Sequence, residues 1–320
     1  MTKFGQSMSQ YTCADLDVSD RRSFISTAPV SSVFLRIGRE AALSSRAFDA
    51  GSIIQEVTDG VFFGHTTTIK LKRNLHERYE TAIRLEALRR QAGIRAPRLL
   101  DSGLMGPQAG RMWWTVSTRV RGETPPSVMP GHQRSLGSQL RRWHEFRAVD
   151  GLRLDDPGAL GVMLGCVRGR LPDLYEAIAA GFAEACVGLP VVAIHGDAAV
   201  CHNTLYRDGE LVAVIDPGAI EIGPALLDLA WALAVDLPHG GRIEPLLDGY
   251  GRQSVDMDAL LTLLHLMMIR RLVDVTFRQG CQADRQWLVD HLTSTGSSLA
   301  RKAIAALQDG GAGHVQASGV

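Results

Sequence analysis

A chain of 320 residues can form two domains or two lobes around a cleft, and 45% apolar content with a mean hydropathy of +0.01 is that of an ordinary soluble globular protein. Lys+Arg and Asp+Glu balance at 34 each, so there is no global basic field to recruit nucleic acid or acidic lipid. The balance conceals an asymmetry: residues 1–149 carry 22 Lys+Arg against 13 Asp+Glu, a net of +9, and residues 150–320 carry 12 against 21, a net of −9.

Residues 1–28 are polar and irregular and read as a loose N-terminal arm. Ser32 to Ile37 reads as a first strand, with a short helix around Glu40 to Leu43 after it. Ser52 to Val57 and Val61 to Phe63 flank Asp59-Gly60, the pattern of a hairpin. The β-branched run Thr66 to Leu71 is another strand, on which Lys70 and Lys72 share one face. Tyr79, Ile83, Leu85 and Leu88 then form a helical stripe that ends near Gly93 and Pro97. Glu80 and Glu86 lie on that helix, and Glu86 stands close enough to Arg89 and Arg90 for a surface ion pair. Met112 to Val120 is β-prone, with Trp113 and Trp114 read as core residues. Pro125, Pro126, Pro130 and Gly131 then punctuate the chain.

Leu136, Leu140 and Trp143 mark the buried side of an amphipathic helix that ends at Trp143-His144, where a satisfied structural histidine is expected. A further helix surrounds Leu174, Ile178 and Phe182. The stretch 191–233 is the most informative. Val191 to Ile194 runs into His195-Gly196-Asp197, and a loop leads to Asn203. Thr204 to Tyr206 and Leu211 to Ile215 flank an Asp208-Gly209 hairpin turn, and Asp216-Pro217-Gly218 follows. Asp228 opens an apolar helix through Leu233. Two C-terminal helices, Asp258 to Phe277 (buried) and Asp284 to Leu307, precede a Gly-rich tail.

Strand ends hold side chains firmly, so Asp197, Asn203 and Asp216 can meet at one edge of the fold. Two carboxylates and a carboxamide are the group phosphoryl transfer needs, since Mg²⁺ takes hard oxygen ligands and an attacking hydroxyl needs a proton acceptor. His-Gly-Asp, the following Asn, Ile-Asp-x-Gly and Asp-Leu-Ala resemble the aminoglycoside phosphotransferase family, relatives of choline kinases and protein kinases. The resemblance implies a bilobal, protein-kinase-like α/β (α+β) fold, with a small β-rich nucleotide lobe at 29–120, a larger helical lobe at 121–308 and a flexible tail at 309–320. It makes Asp197 the catalytic base, Asn203 and Asp216 the Mg²⁺ ligands, and His195 and Asp228 braces of the catalytic loop. It gives Lys70 (with Lys72 as rival) to the nucleotide phosphates, Glu80 (with Glu86 as rival) to that lysine, and a hinge from Ser117 to Val120 to the nucleobase. One departure is visible. The family usually spaces Asp and Asn by five positions, and here the interval is six, so either the loop holds an extra residue or His202 intrudes on the metal site.

The implied function is O-phosphotransfer from ATP or GTP, with Mg²⁺, to a hydroxyl of a small neutral or cationic antibiotic, aminoglycoside or sugar-bearing nucleoside in type. A catalytically impaired nucleotide-binding module and a kinase of choline or a sugar are the alternatives. A protein kinase fits less well, because the flap at 59–64 lacks Gly-x-Gly-x-x-Gly and no Ala-Pro-Glu follows Asp216. Five scattered cysteines without a CxxC pair argue against disulfides and zinc. With no secretory h-region, and Ala259 to Ile269 too short to span a bilayer, a cytoplasmic protein without a membrane or nucleic-acid partner is expected.

Overall fold

The computed structural model describes residues 55–58, 61–63, 66–73, 86–87, 89–105, 112–145, 163–216, 222–277 and 281–313. The expected N-terminal arm, first strand and short helix lie outside them. The chain divides into two compact units. One includes the described residues up to Thr124 together with Thr204–Ile215; the other includes Pro125–Asn203 and the chain from Asp216 onward.

The first unit is built on a five-stranded antiparallel sheet of β1 (Gln55–Thr58), β2 (Val61–Phe63), β3 (Thr67–Arg73), β4 (Leu99–Met105) and β5 (Met112–Thr118), in the order β1-β2-β3-β5-β4. Period-2 alternation explains its faces. Ile69 and Val116 are cross-strand partners and fully buried, and Trp114 is buried with them. Lys70 pairs with Thr115, and Thr68 with Ser117, on the opposite face. The expected Asp-Gly hairpin forms as β7 (Thr204–Arg207) and β8 (Glu210–Val214), with Asp208 at φ +53° and Gly209 at φ +80°. Backbone bonds tie it into this unit: Glu123 and Tyr206 exchange two at 2.8 Å, and Val214 donates to the Arg95 carbonyl at 2.8 Å.

Glu86 departs from the surface ion pair expected of it. Its residue is 8% exposed, and its carboxylate accepts from Arg89 at 2.8 Å, Arg90 at 2.7 Å and the Leu99 backbone N–H at 3.0 Å, which ties the helix to the start of β4. The bond from Arg89 leads the effects that bring its carboxyl down to about 2; burial opposes it, and Arg90 and Leu99 add to it. A pKa depressed by folding gives stability that is present above the unfolded value of 4.5 and lost as pH falls through about 2. Glu86→Gln is therefore expected to cost about 2 kcal/mol at neutral pH, with the difference from wild type shrinking across that acid window. Denaturant unfolding at several pH values reads this directly, and a cost independent of pH would contradict it.

The second unit is mainly helical: α1 (Pro130–His144), α2 (Gly165–Arg170), α3 (Pro172–Ala185), α4 (Ala225–Asp236), α5 (Ile243–Tyr250), α6 (Met257–Thr276), α7 (Gln282–Ser294) and α8 (Ser298–Gly313). Leu136, Leu140 and Trp143 of α1 are buried as their spacing requires. α1 and α5 approach so closely that a Cβ at Gly137 would strike the Leu246 carbonyl, and one at Gly249 the Arg134 carbonyl. α6, capped by the Asp256 side chain on the Ala259 N–H at 3.0 Å, packs against α2, α3, α4, α7 and α8 as a buried axis. The single helix expected from Asp284 to Leu307 is two. Gly296 at φ +69° ends α7, and the Ser297 hydroxyl accepts the Ala300 N–H to start α8, which then runs through the glycines to Gly313. A buried ion pair, Arg271 to Asp284 at 3.2 Å, ties α6 to α7. Among the described residues no helix is long and apolar enough to cross a membrane.

Candidate active site

The site is assembled by a strand pair that the sequence reading missed. β6 (Val191–Ala193) pairs antiparallel with β9 (Ile222–Pro224), and β9 runs directly into α4. This sets Asp228, in the first turn of α4, against the chain leaving β6. Every residue of α4 from Leu226 to Asp236 is buried, so a carboxylate there must be hydrogen-bonded to be tolerated. Asp228 accepts the His195 N–H at 2.7 Å, the Gly196 N–H at 2.6 Å and a bond from His144 Nε2 at 2.9 Å. Burial opposes its ionisation, yet the bond and charge of His144, with the His195 ring and N–H, hold the carboxyl below the ordinary carboxylate range. His144 also contacts the Tyr250 hydroxyl through Nδ1 at 3.0 Å, so both ring nitrogens have partners. His144 is thus the satisfied structural histidine expected, and its task is to fix Asp228.

Gly196, at φ +76°, adopts a backbone conformation that a side chain would resist, and it turns the chain so that Asp197 follows. The His195 ring is fully buried, edge-on to Trp143 with centroids 5.0 Å apart, and its Nδ1 accepts the Asp197 N–H at 3.3 Å. The Asp197 side chain is 34% exposed. Its Oδ2 is 3.0 Å from Asn203 Nδ2 and 3.3 Å from His202 Nε2. Asn203 Nδ2 also lies 3.1 Å from the Asp197 carbonyl and 3.3 Å from the Asp216 carbonyl, so one carboxamide links both acidic residues. Asn203 and Asp216 sit at φ +58° and +52°, unusual values for non-glycine residues and of a kind concentrated at functional sites.

The six-residue interval contains a tight turn. Ala199 and His202 exchange two backbone bonds, at 2.9 and 3.0 Å, around Val200 and Cys201. The sequence reading missed the residue that holds this corner. Asp236, at the far end of α4, accepts the Val200 and Cys201 N–H groups at 3.1 Å each. Burial raises its carboxyl to about 7, against the opposing pull of those two bonds and of His239 and His202. The only signal in the sequence was a lone acid among apolar residues, just over two turns after Asp228 on the same helix.

Of the remaining candidates, Lys70 is half-buried on β3 and shares a sheet face with Ser117. Ser117 is still inside β5, between Thr68 and Leu99, whereas Val120 lies past the strand's end. Glu80 lies outside the described residues, and of Lys72 only the backbone position, opposite Trp113, is described. Glu86, the rival to Glu80, is committed to its two arginines and to Leu99.

The sequence matches the phosphotransferase enzyme family over residues 14–261. The chain belongs to that family. Among solved structures, this phosphotransferase is similar in fold to a choline/ethanolamine kinase family protein from Mesorhizobium loti, at TM-score 0.59 and 16% identity over 86% of this chain and 99% of that one. It is also similar to an aminoglycoside phosphotransferase from Streptomyces rimosus solved with ADP and streptomycin, at TM-score 0.52 and 20% identity over 72% and 96% of the two chains. A macrolide 2'-phosphotransferase from Brachybacterium faecium aligns at TM-score 0.51 and 19% identity over 85% and 97%. No curated protein matches the phosphotransferase by sequence. The kinase-like fold expected from the sequence is the one observed, and the chain is a small-molecule phosphotransferase. Chemically, a partly exposed carboxylate held by a carboxamide can take a proton from a hydroxyl, and a carboxamide oxygen and a second acid close by in the chain are of the type that ligates a divalent cation.

Proposed function

We propose that the chain transfers the γ-phosphate of ATP or GTP to a hydroxyl of a small hydroxylated antibiotic, neutral or cationic and of aminoglycoside or sugar-bearing nucleoside type, an activity that would inactivate the compound. The observation that carries this reading is the Asn203 carboxamide joined to both the Asp197 carboxylate and the Asp216 backbone, in a chain of the phosphotransferase enzyme family. In this reading Asp197, oriented through Oδ2 by Asn203 and His202, accepts the proton of the attacking hydroxyl. Lys70 steadies the nucleotide phosphates, and the chain at Ser117 to Val120 meets the nucleobase. Asn203 and Asp216 suit Mg²⁺, because an amide oxygen and a carboxylate are hard donors and this ion is commonly held by one or two protein ligands plus water and phosphate. When bound, the ion supplies positive charge where the transferred group accumulates negative charge. His195 and Asp228 keep the loop in place.

The −9 balance of residues 150–320 favours acceptors that are not anionic. The relative solved with ADP and streptomycin supports both the nucleotide and the acceptor class. The similarity to the choline/ethanolamine kinase family protein favours a second reading, phosphorylation of a metabolite such as choline or a sugar. A coupled assay of nucleoside-diphosphate release, run with aminoglycosides, nucleoside antibiotics, macrolides, choline and sugars, separates the two. Nucleotide binding with no phosphorylated product on any acceptor would overturn both. In the same assay Asp216→Asn is expected to raise the Mg²⁺ needed for half-maximal rate by about tenfold or more, and Asn203→Ala by less, because only the first removes a full charge. If His202→Ala abolished metal-dependent turnover and Asn203→Ala did nothing, the metal ligand would be His202.

A further inference from the structure

The helix that braces the start of the loop through Asp228 ends in a second buried carboxylate, for which the phosphotransfer reading has no task. Asp236 is fully buried, and its two oxygens are divided between two donors: Oδ2 takes the Val200 N–H and Oδ1 the Cys201 N–H, each at 3.1 Å. Both donors form the corner of the turn closed by Ala199 and His202. The two residues after that corner are the ones whose side chains reach Asp197, His202 at 3.3 Å and Asn203 at 3.0 Å. Apart from Asp228, α4 is otherwise made of apolar residues, and a buried carboxylate is more costly there than an apolar residue of similar size. Helix packing alone therefore gives no reason for an acid at this position, whereas two adjacent buried N–H groups must find acceptors, and here each meets its own carboxylate oxygen.

We propose that Asp236 is a positioning residue of the phosphotransferase site: it grips the Val200–Cys201 corner from the protein interior and so sets where His202 and Asn203 meet Asp197. The inference rests on the reading of Asp197 as the proton acceptor. Together with Asp228 it makes α4 a two-point clamp, with one carboxylate on the N–H groups of His195 and Gly196 and the other on those of Val200 and Cys201. Asparagine has the size of aspartate but one accepting oxygen, so Asp236→Asn releases one of the two corner donors while preserving the packing.

The test measures Asp236→Asn in the full chain, in two independent ways. The expected kinetic result is a kcat lowered about tenfold or more, with the nucleotide KM changed less than about threefold. The expected structural result is amide hydrogen exchange about tenfold or more faster at one or both of Val200 and Cys201, with His195 and Gly196 unchanged because Asp228 still holds them. A lower Tm with wild-type kcat, or unchanged exchange at the corner, would mean that Asp236 only supports the fold, and the proposal would fall. Exchange needs no acceptor, so it decides the matter even if no acceptor is turned over. Asp197→Asn run alongside tests the underlying reading on its own, since normal turnover there would remove Asp197 and leave the exchange result standing. Should Asp236→Asn not fold, Val200→Pro takes the donor from the other side at a turn position that proline accommodates. A fall in kcat with faster exchange at Cys201 supports the proposal, and wild-type kcat overturns it.

Discussion

Asp197→Asn is expected to lower kcat by about 10²-fold or more while nucleotide binding survives. The substitution is nearly isosteric, so the contacts of Asn203 at 3.0 Å and His202 at 3.3 Å still have an oxygen to meet, and the Asp228 bonds that hold the loop are untouched. What is lost is the basic carboxylate that receives the proton, an interaction realised only as the hydroxyl attacks. Loss of that kind lowers kcat and kcat/KM together rather than raising KM. Steady-state kinetics with the best acceptor, set beside a nucleotide titration of the same variant, separates the two effects. Near-normal turnover would take Asp197 out of the mechanism, and loss of nucleotide binding would show that the substitution had disturbed more than the proton acceptor.

The second large effect is expected at Asp228, in stability as much as in rate. Asp228→Ala leaves the His195 and Gly196 N–H groups and the His144 ring without their acceptor in a fully buried place. Removing one partner of a buried, charge-assisted network costs about 3–5 kcal/mol, which corresponds to a Tm lower by roughly 10 °C for a domain of this size. Because folding depresses the Asp228 pKa, its contribution is present above the unfolded value of 3.8 and disappears as pH falls through the folded one. The variant and the wild type should therefore converge in acid. Thermal unfolding followed by circular dichroism at neutral and acid pH checks both parts. A Tm within about 2 °C of wild type at neutral pH would mean that the network carries little of the fold's stability.

Much of this was legible in the residues because it depends on short-range rules. The Asp208-Gly209 turn between two apolar runs specifies its own hairpin, since both residues tolerate positive φ. Alternation on β3 put Ile69 in the core and Lys70 on the other face, and the 3.6-residue period of α1 buried Leu136, Leu140 and Trp143. The ordered set His195, Gly196, Asp197, Asn203, Asp216 and Asp228 was readable for the same reason: each residue stands at the end of an element whose type its neighbours dictate.

What the sequence could not decide were the long-range pairings. Nothing local says that Ile222–Pro224 will form a strand beside Val191–Ala193, yet that pairing is what delivers Asp228 to the loop. The hairpin was predictable, but its membership of the first unit was not, because it follows from backbone bonds to Glu123 and Arg95, far away in sequence. Glu86 looked like one half of a surface ion pair because the i, i+3 and i, i+4 rule sees only its own helix, whereas its bond to Leu99 comes from the next strand. Asp236 was invisible for the same reason. An acid in an apolar helix has no sequence signature of its partners, and only the folded chain brings two turn amides to its two oxygens. The sequence by itself determined which residues are candidates for the chemistry and most of the elements that hold them. The tertiary structure decided what holds those elements in place, because buried carboxylates are stabilised by donors that chain folding, and not sequence proximity, supplies.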